Sequence, residues 1–446
     1  MSNKYDNYKD SGIEWIGEIP SHWEYSPVKY FTEIINGSTP SSSEESYWNG
    51  DINWVTTDDL GKLNQKYILS TRRTITETGY KSCGTTIAPK GSVVISSRAP
   101  IGHLGILKID ACTNQGCKTL IPKNINSEFL HYYLGIGRNE LEALGQGSTF
   151  KELPTSALKG FKLISPPISE QTAIANYLDH KTTQIEHLIA KKEQLIQLLE
   201  EERVAVINQA VTKGLDPTVP MKESGIEWLE EIPVHWEVKR IKHLLSEPLK
   251  YGANESAEEE NLDDPRYIRI TDFGNDGKLK ANTFKSLPFS KAENFLLSEG
   301  DILFARSGAT VGKTFFFNNY KGIACFAGYL IKASCDRQLL IPEFLYEFTN
   351  TGSYNNWKQS IFQQSTIQNI GADKYNQLKI AIPPISEQKA IVEFLKNKSN
   401  EIVLIITKTQ QEIELLKEYK TALISEVVTG KVDVSTSSTQ VLETKN

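Results

Sequence analysis

The sequence predicts a duplicated architecture: two copies of a globular unit, each followed by a long coiled-coil helix, with the two helices paired antiparallel. Two repeats and one periodicity carry that prediction. The phrase "SGIEWIGEIPSHWE" at 11 to 24 returns as "SGIEWLEEIPVHWE" at 224 to 237, and "PPISEQTAIANYL" at 166 to 178 returns as "PPISEQKAIVEFL" at 383 to 395. A period of roughly half the chain makes the repeat a whole domain rather than a short stacking unit. After each Pro-Pro, apolar residues recur at alternating steps of four and three, the spacing of a coiled-coil seam.

The helices follow from their starts, seams and stops. Proline cannot continue a helix from its N-terminal side, so Ser169 and Ser386 are expected as N-caps, with Glu170 and Glu387 in a first turn whose dipole favours acid. The predicted seam runs through Ile174, Leu178, Ile185, Leu188, Leu195, Leu199 and Val206 in the first copy, and Ile391, Leu395, Ile402, Ile405, Leu416 and Leu423 in the second. Lys181 and Lys398 interrupt both seams at the same place, and Gly214 and Gly430 are the expected C-caps. Each helix covers about 40 residues, roughly 60 Å at ~1.5 Å per residue. Helices of equal length and pattern in a unit-helix-unit-helix chain can pair antiparallel, with a globular unit at each end of the rod. The expected segments are 1–167 (first unit), 168–214 (first helical spacer), 215–384 (second unit), 385–431 (second helical spacer) and 432–446 (a flexible tail). The repeated opening phrase is expected to dock through Trp15, Trp23, Trp228 and Trp236 on the helices or on each unit's own core.

Between their matched ends the copies diverge, with short echoes only: "GSVVISSRAPIG" beside "GDILFARSGATVG", and "WVTTDDL" beside "IRITDF". One scaffold therefore carries two different inserts. The chain has net charge −6, but residues 26 to 165 hold 15 Lys/Arg against 12 Asp/Glu, and residues 239 to 382 hold 18 against 16. The inserts are thus +3 and +2, and −11 belongs to the remainder, including helix positions such as Glu193 and Glu200. That acidic surface suits a protein dock better than a nucleic-acid one. With 39% hydrophobic and 23% charged residues the composition is globular, and no run of apolar residues is long enough to span a bilayer. The opening "MSNKYDNYKD" is too polar for a signal peptide, and five cysteines give neither a disulfide framework nor a paired zinc site, so a reduced, cytoplasmic protein is expected.

Catalytic signatures are missing. "SGATVGKT" at 307 to 314 resembles a phosphate-binding loop, yet Ser307 stands where glycine is required, and the "FFF" that follows favours strand over the needed helix. "SPPI" and "IPPI" resemble the NPP[YF] loop of amino-methyltransferases, but Ser165 and Ile382 replace the polar amide. No cofactor-binding glycine phrase, HExxH or metal-ligand spacing is present.

Nearly the whole chain resembles the DNA specificity subunit of Type I restriction-modification systems. The resemblance is carried by the doubled unit, both Pro-Pro-Ile-Ser-Glu-Gln helix starts, "NGSTPSSSEESYWNGDINWVTTDDL" (36 to 60), "SSRAPIGHLGI" (97 to 107), "TNQGCKTLIP" (113 to 122) and "GDILFARSGATVGK" (300 to 313). The second insert departs by lacking the "YW.G.I.W" phrase. The resemblance implies two α/β (α+β) target-recognition domains, each reading one half of a split DNA site and held apart by the helical rod. It implies a subunit without chemistry of its own. That subunit would direct methyltransferase (M) and restriction/translocase (R) subunits that use S-adenosylmethionine, Mg²⁺ and ATP.

Reading DNA requires phosphate clamps and a few side chains on base edges, and only the latter must change with the target. The candidate DNA-contacting residues are Arg72, Arg73, Arg98, Thr149 and Lys151 in the first unit, and Arg266, Arg269, Arg306, Lys313 and Thr366 in the second. A solvated charge or an internal ion pair is the competing reading for each arginine. A fused restriction or modification enzyme and a coiled-coil adaptor that touches only protein are the alternative functions.

Overall fold

The computed structural model describes residues 4–147, 151–256, 260–274, 279–308, 310–362 and 369–435. Its contacts form two compact units, one of residues 1–191 with 411–446, the other of residues 192–410. Each long helix, Ile168–Lys213 and Ile385–Val428, therefore contributes one stretch to each unit.

In the first unit a five-stranded sheet is ordered Thr32–Asn36, Cys117–Pro122, Val93–Ser96, Leu104–Leu107, Tyr67–Ile68. Its pairings are antiparallel except the last, where Tyr67 aligns with Ile106 in parallel. Val93–Ser96 reads as an unbroken apolar or small run because both faces are covered, and Cys117–Leu120 beside it is buried as well, with the Lys118 ammonium donating to the Asn36 side-chain oxygen at 3.3 Å. A three-stranded sheet places Trp48–Val55 between Ala111–Thr113, parallel to it, and Arg73–Ile75, antiparallel to it. The repeated phrases close the unit: Glu24–Pro27 pairs with Lys162–Ser165, and Tyr8–Asp10 with Glu18–Pro20.

The second unit repeats this plan on different residues. Its four-stranded antiparallel sheet is ordered Lys250–Tyr251, Leu330–Ala333, Ile302–Ala305, Thr314–Phe316, and Arg266–Ile268 lies parallel to Ala324–Phe326. Glu237–Arg240 pairs with Lys379–Ile382, and Met221–Glu223 with Glu231–Pro233. The echoed segments are equivalent strands, Val93–Ser96 in one insert and Ile302–Ala305 in the other.

Both long helices begin directly after the prolines, at Ile168 and Ile385. Gln171 N–H donates to the Pro167 carbonyl at 3.0 Å and Gln388 N–H to that of Pro384 at 3.0 Å. Ser169 and Ser386 thus lie inside the first turn rather than at the caps. A proline cannot donate backwards, but its carbonyl accepts the first helical bond, so Pro167 and Pro384 hold the position expected of the serines. Gly214 and Gly430 follow the helix ends at φ +78 and +76, the left-handed conformation of a helix stop.

Within the first unit Ile174, Leu178 and Ile185 share one core with Leu423 and Val427, and Lys420 Nζ donates to Glu186 at 2.5 Å. Within the second, Ile207 and Val211 share a core with Ile391 and Leu395. In both, the start of one helix meets the end of the other, so the paired stretches are antiparallel. The buried face differs in phase from a strict heptad. Leu188 and Leu195 are 43% and 42% exposed, and Ile405 is 38% exposed. Burial passes instead from Leu178 to Thr182 and Ile185, with half-buried Ile189 and Ile196 next, and from Ile402 through half-buried Ile406 to Thr409 and Ile413. Leu199 and Leu416 are half-buried. The seam steps over Lys181, whose ammonium is costly to bury, to Thr182. Two consecutive steps of four there exchange the order of the four- and three-residue steps, so alternate contacts move by one position, Leu188 to Ile189 and Leu195 to Ile196, while Ile185 and Leu199 keep theirs.

Candidate nucleic-acid interface

The repeated ends of each unit form one hydrogen-bonded clamp. Glu170, in the first turn of the first long helix, accepts from Trp23 Nε1 at 2.9 Å and from the Tyr5 hydroxyl at 3.0 Å, and lies 2.7 Å from His22 Nε2. Glu387 takes Trp236 Nε1 at 3.1 Å and lies 2.8 Å from His235 Nε2. Trp23 and Trp236 are fully buried, so each indole N–H is satisfied only through this carboxylate. Burial, then the Glu170 charge and hydrogen bond, push the Tyr5 hydroxyl well above its ordinary pKa. The neighbouring glutamine ties each helix to its unit. Gln171 accepts from Asn126 N–H at 2.8 Å and donates to the Pro166 carbonyl at 2.8 Å; Gln388 accepts from Ile341 N–H at 2.9 Å and donates to the Leu339 and Pro383 carbonyls. Trp15 stacks on Phe161 and meets Tyr133, while Trp228 is half-buried against the core of its own unit. The repeated phrase therefore docks as expected, Trp23 and Trp236 on the helix starts and Trp15 and Trp228 on the core of their own unit; the residue types did not reveal that the helix-start glutamate is the partner.

In the first insert several cations are paired with acids of the same unit. Arg72 pairs with Asp58 and, through Nε, with Asp59 at 3.2 Å. Asp59 also caps the short helix after Val55 in a capping box with Thr56. Arg98 Nε donates to Glu152 at 3.0 Å, and exposed Lys151 lies next to that acid in sequence. Lys62, Lys81 and Lys123 pair with Asp58, Glu77 and Glu33. Arg73 differs: its guanidinium lies 3.7 Å from the Trp48 ring centroid and 5.5 Å from that of Trp54. Thr149 falls outside the described residues.

The second insert spends its arginines similarly. Arg269 donates through Nε and Nη2 to both oxygens of buried Asp272, at 3.1 and 2.8 Å, and to the Thr283 carbonyl at 3.0 Å. Asp272 stands where the first unit has Asp59, so one acid position holds an arginine that arrives from a different place in the chain. Arg266 is buried, donates to the Lys280 carbonyl at 2.7 Å and lies near the Phe284 and Tyr320 rings. Arg306 is half-buried over Tyr251 at 4.8 Å, and the Tyr251 hydroxyl is fixed by Ala372 N–H at 2.9 Å. Lys313 Nζ lies 5.6 Å from the Phe315 ring, in the loop that runs into the strand Thr314–Phe316. Hydrogen bonds from Lys250 and Lys332 hold the Glu247 carboxyl down at about 2. Thr366 lies outside the described residues.

Among the described residues no group of three or more His, Cys, Asp or Glu is placed to hold a metal ion, and no helix is long and apolar enough to cross a membrane. All five cysteines are free. Burial pushes Cys112 up to about 11, and Cys117, Cys325 and Cys335 to about 12, so these four stay protonated thiols at neutral pH.

A scaffold repeated down to its buried hydrogen bonds, carrying two unlike inserts with cations and aromatics, defines a two-domain recognition protein. Comparison with known proteins specifies which kind. The model of the Type I restriction modification DNA specificity domain matches residues 20–198 and 233–415. The chain is 30% identical over 444 residues to the Type I restriction enzyme MjaIX specificity subunit of Methanocaldococcus jannaschii, covering 94% of this chain and 95% of that one. It is 24% identical over 404 residues to the EcoKI specificity subunit of Escherichia coli K12, covering 84% and 82%. Two solved chains share the fold at 14% identity. One comes from a study of complex assembly and conformational transition of the type I R-M system, with TM-score 0.71 over 93% of this chain and 99% of that one. The other is the HsdS subunit of Thermoanaerobacter tengcongensis, with TM-score 0.59 over 93% and 98%. The chain belongs to the specificity subunits of Type I restriction-modification systems and is a DNA-recognition subunit with two domains of mixed helix and sheet, made to assemble with other subunits of such a system.

Proposed function

We propose that each insert reads one half of a bipartite DNA site, 26 to 165 within a first target-recognition domain of 1–167 and 239 to 382 within a second of 215–384. Segments 168–214 and 385–431 serve as helical spacers, with 432–446 as a tail. The chain is non-catalytic. It directs methyltransferase subunits, and restriction subunits where the system has them, and these carry S-adenosylmethionine, Mg²⁺ and ATP in the cytoplasm. The observation that carries this reading is the contrast between the Trp–Glu–His clamps repeated at Glu170 and Glu387 and the unlike cation sets between them. DNA contacts are assigned to Arg72, Arg73, Arg98, Thr149, Lys151, Arg266, Arg269, Arg306, Lys313 and Thr366. Those already paired to acids act by holding loops or by exchanging partners on the duplex. The exposed carboxylates Glu193 and Glu200 on the first helix suit a protein dock better than a duplex.

The test exchanges residues 26 to 165 for the equivalent block of a relative with a different target and maps modified sites by methylome sequencing. One half-site should change and the other should persist. A change in both halves by a folded chimera overturns the one-domain-per-half reading. Failure of the chain with its methyltransferase partners to shift any duplex in a gel would favour the protein-only adaptor.

A further inference from the structure

We propose that Arg73 is a base-reading residue of the first unit, donating to O6 and N7 of a guanine in the major groove from a guanidinium laid flat on Trp48. This rests on the DNA-reading role of residues 26 to 165 given above and narrows it to one side chain and one base.

The arginine is presented on a fixed platform. Trp48 and Trp54 meet edge to face at 5.1 Å and are 9% and 3% exposed. Each indole is pinned through its own N–H, Trp48 to the Ser41 carbonyl at 3.1 Å and Trp54 to the Ser38 carbonyl at 3.0 Å. Neither ring can turn without breaking a hydrogen bond, so an arginine stacked on them loses little further freedom when it binds.

Its donors are also free. Stacking occupies the face of a guanidinium and leaves the in-plane N–H fork unspent. Among the described residues the Arg73 side chain forms no hydrogen bond or ion pair, whereas Arg72 is spent on Asp58 and Asp59, and Arg98 on Glu152. Of the three arginines proposed above as contacts in this insert, Arg73 alone has its fork available.

The backbone carries it outward. Arg73 opens the edge strand Arg73–Ile75 of the three-stranded sheet and is exposed. The paired strand Trp48–Val55 has an irregularity between Trp48 and Ile52, with Asn49 at φ +63. Irregularities of this kind re-aim side chains at the edge of a sheet. A strand pair of this width enters a major groove, where a planar two-donor fork matches guanine and no other base edge.

The test uses the full chain assembled with its methyltransferase partners and duplexes substituted one base pair at a time across both half-sites, at two salt concentrations. R73A is expected to lower the preference for guanine at one position of one half-site by about 5- to 150-fold, with the other half-site and the salt dependence unchanged. R73K, which keeps the charge without the fork, should relax the same position. The undisturbed half-site reports an intact complex in every variant. Uniform weakening across all sequences with a salt slope lower by about one would make Arg73 a phosphate contact and overturn the assignment, as would an R73A complex with unchanged preference everywhere. A wild-type complex without preference at any position would instead remove the DNA-reading role itself.

Discussion

Replacing Glu170 with alanine should loosen the first unit at its clamp and leave the second nearly untouched. The carboxylate accepts from Trp23 Nε1 at 2.9 Å and the Tyr5 hydroxyl at 3.0 Å and lies 2.7 Å from His22 Nε2. Trp23 is fully buried, so its orphaned N–H costs about 1–3 kcal/mol. His22 is about half exposed and can turn to water, and Tyr5 is half-buried, so together they add no more than about 1 kcal/mol. A local loss of about 1–4 kcal/mol raises the opening equilibrium roughly 5- to 1,000-fold. Hydrogen-exchange mass spectrometry reads this directly, as faster exchange in segments 18 to 28 and 161 to 178. Glu387→Ala should act on segments 231 to 241 and 379 to 395 in the same way. Glu170→Gln keeps an amide oxygen for Trp23 and should cost about 1 kcal/mol. Unchanged exchange at 18 to 28 in Glu170→Ala, or an equal rise in both units, would refute the clamp.

Two further outcomes follow from burial. Leu178→Ala removes a fully buried side chain and should cost about 3–5 kcal/mol, whereas Leu188→Ala, at 43% exposure, should cost under about 1 kcal/mol; equal losses in urea denaturation would restore the strict heptad seam. Burial also lowers His131 to about 4 and leaves its Nδ1 without a hydrogen-bond partner. The unfolded chain takes up this proton near pH 6.5 and the folded chain only near 4, so stability is full above 6.5 and falls as pH drops through that window, by at most about 3 kcal/mol. His131→Gln should flatten the pH dependence of the urea midpoint between pH 6.5 and 4, and an unaltered slope would exclude His131 as its source.

What the sequence revealed and what it hid divide along physical lines. The duplication, the two helices and their antiparallel pairing were legible because each is written many times over, in repeated phrases and in a seam of apolar residues. The phase of the seam was hidden because it turns on one comparison, burying Lys181 or burying Thr182, and a heptad template has no term for that cost. The serines resemble caps, but the proline carbonyls accept the first helical bonds and start each helix two residues earlier. At the interface, arginines could be named but not ranked: whether Arg72 or Arg73 is free depends on Asp59, thirteen residues away, and on Trp48, across a sheet pairing. The phrase "YW.G.I.W" holds both tryptophans of the platform, but the irregularity between Trp48 and Ile52 breaks the alternation of the strand, so their spacing alone does not place them together. In the second unit an arginine also lies over an aromatic ring, Arg306 over Tyr251, and no shared phrase marks that pair.

The same distinction explains how one scaffold accommodates unlike inserts. Glu170 and Gln171 each satisfy buried donors or acceptors on several chain segments at once, so a change at either strands buried polar groups, and Glu387 and Gln388 repeat the arrangement. Those positions resist change independently of any DNA sequence. An insert arginine stacked on an aromatic satisfies nothing inside the fold. Its loss costs the unit one exposed cation–π contact, worth about 0.5–1 kcal/mol, while it alters what the surface can recognise. The fold therefore couples strongly to its ends and weakly to its reading surface. Substitution at Arg73 therefore strands no buried polar group, and on the reading proposed above that is where a target can change without re-solving the packing of the unit.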